Sequence, residues 1–435
     1  MKKIVKKRKN KPASKTKLQK KKELRKKRKI IPKQDKHNRD EAIEVNNNEN
    51  KSEETKSIKR LIRAIFNVRE SKRQLSFLGI DFKTTSLNIN EELFKSCFKK
   101  LVEIDKLIND KSIDHKNRKD KLFDLSKEYY QLLPHSFPYP DYGMYLINDI
   151  SKIQREICLL ELIKSYNELD IKFQKIKNKI KELIIKEEKE KENETELNNS
   201  MYLNDSINMS MNNIENISEE EQHRRNIISD AFFEKALSQF DYTINLLDRN
   251  SDDFHVIEGY LNLYSKKKGG PYPSLILAEL FQLKKKNEEN NPKNTFYWYG
   301  CEITHFYSIL RQGFRCPNKE APKNAFSYGK GILLSQNAYS QIPKCLSKNS
   351  TIYLFICSVN GMKAKTVHLH HKNYPEHLKE NYNSIKIKRR IMMPSGDEEC
   401  EDGSNEDRPY ITSEDFIVYK PSLIQIHYIA KVEIP

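Results

Sequence analysis

Two adjacent carboxylates, Glu414 and Asp415, stand directly ahead of the apolar run Phe416-Ile417-Val418-Tyr419. Successive side chains on a strand point to opposite faces, so without a bulge only one of the two acids can face inward. The alternative is a pair of solvated acids at a strand start. Gly300 follows Trp298 and Tyr299; lacking a Cβ, it either lets a ligand approach the main chain closely or makes a turn after a strand. Arg315, after Gly313-Phe314, can reach a phosphate or ribose or stand exposed. Tyr328-Gly329-Lys330-Gly331 lacks the spacing of a Walker phosphate loop. His368, His370, His371 and His377 invite a zinc reading, but no cysteine or acid stands at ligand spacing, so no metal is expected.

The elements that must position these residues differ between the two halves of the chain. From Ser57 the apolar residues recur at helical steps: Leu61, Ile62, Ile65 and Phe66, then Leu93, Phe94, Phe98, Leu101, Ile104 and Ile108. Leu122, Leu125, Tyr129 and Leu132 predict a further helix closed by Pro134, and Ile150, Ile153, Ile157, Leu160 and Ile163 predict one from Tyr145 to Leu169. From Asp230 the period shifts toward strands, predicted at Tyr242–Leu247, Leu275–Leu283, Ile332–Leu334, Thr351–Val359, Phe416–Tyr419 and Ile424–Val432. Asp248-Arg249-Asn250-Ser251 is expected to cap a helix running through Tyr264. The fold class is therefore α+β: an all-helical bundle followed by a mixed, largely antiparallel β domain.

Charge is distributed as unevenly as periodicity. Of the formal +18 on 435 residues, a net +17 falls within residues 1–40, which hold 20 Lys/Arg against Glu23, Asp35 and Asp40. Residues 1–56 have too little apolar surface to offset the entropy of ordering, so a disordered basic tail is expected. Lys6-Lys7-Arg8-Lys9 and Arg25-Lys26-Lys27-Arg28-Lys29 read as nuclear-localisation or phosphate-binding clusters, giving a nuclear protein that contacts DNA or RNA through residues 1–40. Residues 170–228 read as a charged, Asn-rich insertion that starts as a Lys/Glu/Ile helical extension. Seven cysteines without CxxC spacing point to free thiols in a reducing compartment. No apolar run has the length of a membrane span, so no membrane contact is expected.

Several segments, taken in order, resemble the poly(ADP-ribose) polymerase family. They are Phe296-Tyr297-Trp298-Tyr299-Gly300-Cys301, Arg311-Gln312-Gly313-Phe314-Arg315, Glu320-Ala321-Pro322, Tyr328-Gly329-Lys330-Gly331-Ile332 and Glu414-Asp415-Phe416-Ile417-Val418-Tyr419. Asp124-Leu125-Ser126-Lys127-Glu128-Tyr129-Tyr130-Gln131-Leu132-Leu133-Pro134-His135-Ser136-Phe137 is similar to part of that family's helical regulatory domain. The resemblance implies a regulatory-like domain at 57–169, which in the family restrains access to the NAD site, and an ADP-ribosyltransferase-like catalytic domain at 229–435. It also implies NAD+ as substrate, no metal, and protein acceptors. Gly300 matches the glycine whose main chain grips the nicotinamide carboxamide, and Arg315 an arginine near the adenosine half.

The catalytic positions depart from the family. Tyr299 stands for a ribose-binding histidine, Leu333 for a tyrosine that stacks on nicotinamide, and Asp415 for the catalytic glutamate, with Glu414 as the alternative acid. A second stacking tyrosine falls near Lys344, with Tyr339 offered by a shifted alignment. A carboxamide-binding serine falls near Gln341, with Ser340 one place away. The resemblance thus implies an ADP-ribosyltransferase that is weak or attaches single units. The alternatives are an inactive scaffold that binds NAD or a partner, and a nucleic-acid-binding scaffold that works through the tail.

Overall fold

A computed structural model describes residues 52–82, 90–136, 145–191, 219–286, 295–345, 350–367, 382–392 and 410–435. The basic segment 1–51, the middle of the expected insertion (192–218) and the four histidines from 368 to 377 lie outside the described residues. The chain divides into Met1–Lys56 and Ser57–Pro435, and everything below concerns the second unit apart from the first turn of one helix.

The helices ahead of the sheet include, among the described residues, α1 (residues 52–65), α2 (Val68–Phe77), α3 (Glu91–Asn109), α4 (His115–Leu132), α5 (Ile150–Lys191) and α6 (Glu219–Leu237). Their starts follow from side chains that satisfy orphan amides. Asn67 accepts from the Glu70 amide, Asn90 from Leu93, and Asp114 from Lys116 and Asn117. The helix placed up to Leu169 and its expected helical extension form one element to Lys191, because Leu169, Phe173, Ile176 and Ile180 keep one apolar stripe at helical steps and are all buried. The expected insertion therefore begins inside a helix. Likewise α6 runs past Asp230, with Phe232, Ala236 and Phe240 buried at four-residue steps, and the strands start only at Tyr242. No helix among the described residues is long and apolar enough to cross a membrane.

The second half forms one nine-stranded sheet, in the order β1-β2-β9-β5-β3-β4-β8-β7-β6. The strands are β1 (Tyr242–Leu246), β2 (Ile276–Lys285), β3 (Tyr297–Gly300), β4 (Ile332–Ser335), β5 (Thr351–Val359), β6 (Ala364–Val367), β7 (Ser384–Met392), β8 (Tyr410–Val418) and β9 (Ile424–Glu433). Every pairing is antiparallel except β6 with β7, so the α+β class holds, with a mixed and largely antiparallel sheet. Between strands lie α7 (Asp252–Leu261), capped by Ser251 as the sequence predicts, and α8 (Phe306–Gln312).

Helices and sheet share a core. Phe66, at the end of α1, meets Phe232 of α6 at 5.7 Å between ring centroids and Tyr307 of α8 at 5.4 Å. The same cluster continues through Phe281, Phe355 and Ile429 of the sheet. Burying each such ring contributes about 1.5–3 kcal/mol, so the helical part is bonded to the sheet by the same force that holds each together. A second cluster joins α3, α4 and α5 and takes in Ala321 and Ala325 from the loop after α8. Tyr129 and Leu133 lie buried in it, as the sequence pattern expects.

Candidate active site

The central strands bring the far-apart sequence segments together. β3 lies between β5 and β4, and β8 pairs with β4 in a register that sets Leu333 against Ile417 and Ser335 against Asp415. Around the end of β3 a cavity of about 310 Å³ opens. Tyr299, Gly300, Leu333, Lys344 and Arg315 line it from the sheet side, and Ile157, Cys158, Glu161, Lys164 and Ser165 from α5.

Gly300 is required where it stands. A Cβ there would lie 2.4 Å from the Gln341 carbonyl oxygen, closer than side-chain carbons approach a main chain. Its amide N–H donates to Gln341 Oε1 at 3.3 Å, and Lys344 Nζ donates to the same oxygen at 2.8 Å. Gln341 itself has no exposed surface, and its Nε2 donates to Ser340 Oγ at 3.0 Å. Burial pushes the Lys344 ammonium down to about 8, against the opposing pull of the Asp415 carboxylate.

Of the two candidate acids, strand alternation turns Asp415 inward and leaves Glu414 partly exposed, paired with Lys386 on β7. Asp415 is only 1% exposed. The Ser335 hydroxyl donates to its Oδ1, and Arg389, also from β7, pairs with its Oδ2. Ser335 Oγ in turn accepts the Asn337 amide at 3.0 Å, which fixes the hydroxyl's direction. Asp415 does not line the cavity.

Tyr299 packs edge-on against Phe314 at 4.8 Å, and burial holds its phenol far above the ordinary range, so it is a neutral hydrogen-bond donor. His305 Nδ1 lies 2.7 Å from Ser165 Oγ of α5. Burial lowers its imidazole to about 4, leaving it neutral at pH 7. Arg315 does not stand open to a ligand phosphate, because both its terminal nitrogens reach Glu168 of α5, at 3.0 and 2.9 Å. This bidentate pair ties the long helix to the cavity mouth.

Two sequence expectations are corrected here. Tyr339 faces away from the cavity. Its ring stacks on Tyr272 at 4.5 Å, and its hydroxyl donates to the Pro273 carbonyl. The short helical turn Ala338–Ser340 directs it into the apolar cluster around Trp298 and Leu354. Ser340 also lies off the cavity, its hydroxyl donating to the Asn337 carbonyl at 2.8 Å. Lys344 lines the cavity in place of Tyr339, and Gln341 reaches the Gly300 amide in place of Ser340. Ser335, Arg389, Glu168 and His305 were not picked out from the sequence. Only Ser335 carried a usable signal, as a polar residue closing an apolar strand.

Comparisons agree with this arrangement. The family description "Poly(ADP-ribose) polymerase, regulatory domain" matches residues 52–182, and "Poly(ADP-ribose) polymerase catalytic domain" matches 251–434. Poly(ADP-ribose) polymerase 1 of Danio rerio is 23% identical over 293 residues, covering 65% of this chain and 23% of that protein. Its Arabidopsis thaliana namesake is 30% identical over 125 residues, 27% of this chain and 12% of the relative. Poly(ADP-ribose) polymerase 2 of Homo sapiens is 24% identical over 208 residues, 43% of this chain and 35% of the relative. The chain thus spans well under half the length of these curated relatives. With both domain descriptions matched in order, and the sheet bringing together the segments that carry the likeness, the chain belongs to the poly(ADP-ribose) polymerase family.

Proposed function

We propose that the chain is an NAD+ ADP-ribosyltransferase that attaches single ADP-ribose units to protein acceptors, at a turnover its own site keeps low. Breaking the bond between nicotinamide and ribose leaves positive charge on the sugar, and an inward carboxylate is the group that stabilises it. Asp415 carries this reading: it is the acid turned inward on β8, held by Ser335 and Arg389. The same geometry supports slowness. Arg389 offsets the carboxylate's field, and a side chain one methylene shorter than glutamate stands back from the cavity. A displacement of about 1 Å costs roughly a hundredfold in rate. Leu333 keeps apolar contact with a ring but not the stacking, which on the scale of base–aromatic pairs is about 1–3 kcal/mol.

Neutral Tyr299, which lines the cavity, would donate a hydrogen bond to a ribose hydroxyl, and α5 closes the cavity from the helical side. The basic residues 1–40 support nuclear location and contact with DNA or RNA phosphates. The test is single-turnover release of nicotinamide by the full chain, beside Asp415→Asn. Slow release that Asp415→Asn abolishes is expected. Equal release from both, or none from either, would refute transfer. A second reading, a family member that binds without turnover, is favoured by one contact, the Gln341 side chain on the Gly300 amide.

A further inference from the structure

That contact has a chemical meaning of its own. A glutamine side chain ends in a carboxamide, the same group that nicotinamide carries. The Gln341 carboxamide is fully buried, its oxygen takes the Gly300 N–H and the Lys344 ammonium, and its nitrogen donates to Ser340. An amide N–H has one proton to donate, so a ligand carboxamide can reach Gly300 only if Gln341 leaves. Leaving would strand the buried Gln341 carboxamide and take from half-buried Lys344 its hydrogen-bond acceptor. Charge adds to this. Lys344 lines the cavity as a cation, while the nearby Asp415 carboxylate already pairs with Arg389. The nicotinamide ring of NAD+ is itself a cation, so it meets repulsion there. Of the cavity's other charged lining residues, Arg315 is paired with Glu168 and Glu161 offsets Lys164, so Lys344 leaves the lining with one net positive charge, which favours a diphosphate over a cationic ring.

We propose that Gln341 and Lys344 determine ligand choice, filling the nicotinamide position with the chain's own amide and ammonium. The cavity then takes an ADP-ribose-type ligand, a nucleoside diphosphate sugar without the pyridinium ring, in preference to NAD+. This rests on reading the Gly300 amide as the carboxamide donor of an NAD site. It goes beyond slow turnover, because it predicts which ligand wins when no reaction occurs.

The experiment is calorimetric titration of the full chain with ADP-ribose, NAD+ and nicotinamide separately, on wild type, Gln341→Ala and Lys344→Met. Wild type is expected to bind ADP-ribose at least about tenfold more tightly than NAD+ and to show no nicotinamide binding. Gln341→Ala should tighten NAD+ and admit nicotinamide. Lys344→Met, which keeps the Gln341 contact and so covers the case where Gln341→Ala fails to fold, should weaken ADP-ribose and narrow the gap. Equal affinities in wild type that neither variant changes would overturn this inference while leaving the NAD-site reading intact. Binding of neither ligand by wild type and variants would overturn both.

Discussion

The close approach at Gly300 makes a signed prediction, because the same substitution elsewhere in the chain should do the opposite. Gly300→Ala places a Cβ 2.4 Å from the Gln341 main-chain oxygen and 2.9 Å from Gln341 Cβ. Neither atom belongs to a flexible side-chain end, so β3 and the turn after β4 must separate by several tenths of an ångström. Overpacking of this kind costs about 1–3 kcal/mol, and stretching the Gly300 amide bond to Gln341 adds about 1 kcal/mol. The reduced freedom of the unfolded chain returns about 0.4–1 kcal/mol. The net loss is about 1–3.5 kcal/mol. Gly259, exposed on α7, has nothing within 4 Å of its built Cβ, and alanine there should stabilise by about 0.5–1 kcal/mol through helix propensity. Urea unfolding of both variants, read at the midpoint with a common slope, should move them in opposite directions. A Gly300→Ala midpoint that moves upward with the Gly259 control would show that the packing around Gly300 is looser than described, and with it the contact on which ligand choice depends.

Three further outcomes are expected. In a double-mutant cycle on Arg315 and Glu168, whose side chains are 39% and 26% exposed, the coupling should be about 0.5–1 kcal/mol; no coupling would mean that the pair does not tie α5 to the cavity mouth. Lys344 titrates at about 8 in the folded chain against 10.5 when unperturbed. The unfolded chain therefore binds more protons between these values, so stability should rise with pH across that window, and Lys344→Met should remove the rise in parallel urea melts. For residues 1–40, gel-shift affinity for random DNA should fall roughly 10³–10⁵-fold between about 50 and 200 mM salt if about eight phosphates are neutralised. A chain lacking residues 1–40 that keeps the same affinity and slope would refute the role of the tail.

The strands that carry the site were legible because their signals are local. Thr351–Val359 alternates and is apolar enough to be placed with its observed bounds, and Ser251 announces the helix it caps. The two-residue period required one of Glu414 and Asp415 to face inward, and only the resemblance pointed to Asp415. β7 was not seen, since its lysines and arginines at 386, 388, 389 and 390 hide the buried Ile385 and Ile387. With β7 went Arg389, the partner of Asp415. Tyr339 was misplaced because a one-residue choice of alignment decides which side of a short turn a ring occupies, and no periodicity constrains a turn of three residues. Beyond residue 169 a helical extension was legible, but its burial was not. A lysine- and glutamate-rich composition suggested a solvated segment, while Phe173, Ile176 and Ile180 continued a buried stripe beneath it.

The long helix α5 presents Ile157, Glu161, Lys164 and Glu168 along one face, at intervals of four, three and four residues, and that face walls the cavity or holds its mouth. The site therefore has a phase as well as a composition. Each residue added to a helix advances it by about 100°, so a single insertion between Leu160 and the tie at Glu168 would rotate that tie off the cavity while leaving the helix itself intact. Drift confined to this face can retune what the cavity accepts without a change in any strand. The family's functional variation in this chain is thus to be sought as much in the angular register of one helix as in the residues of the sheet.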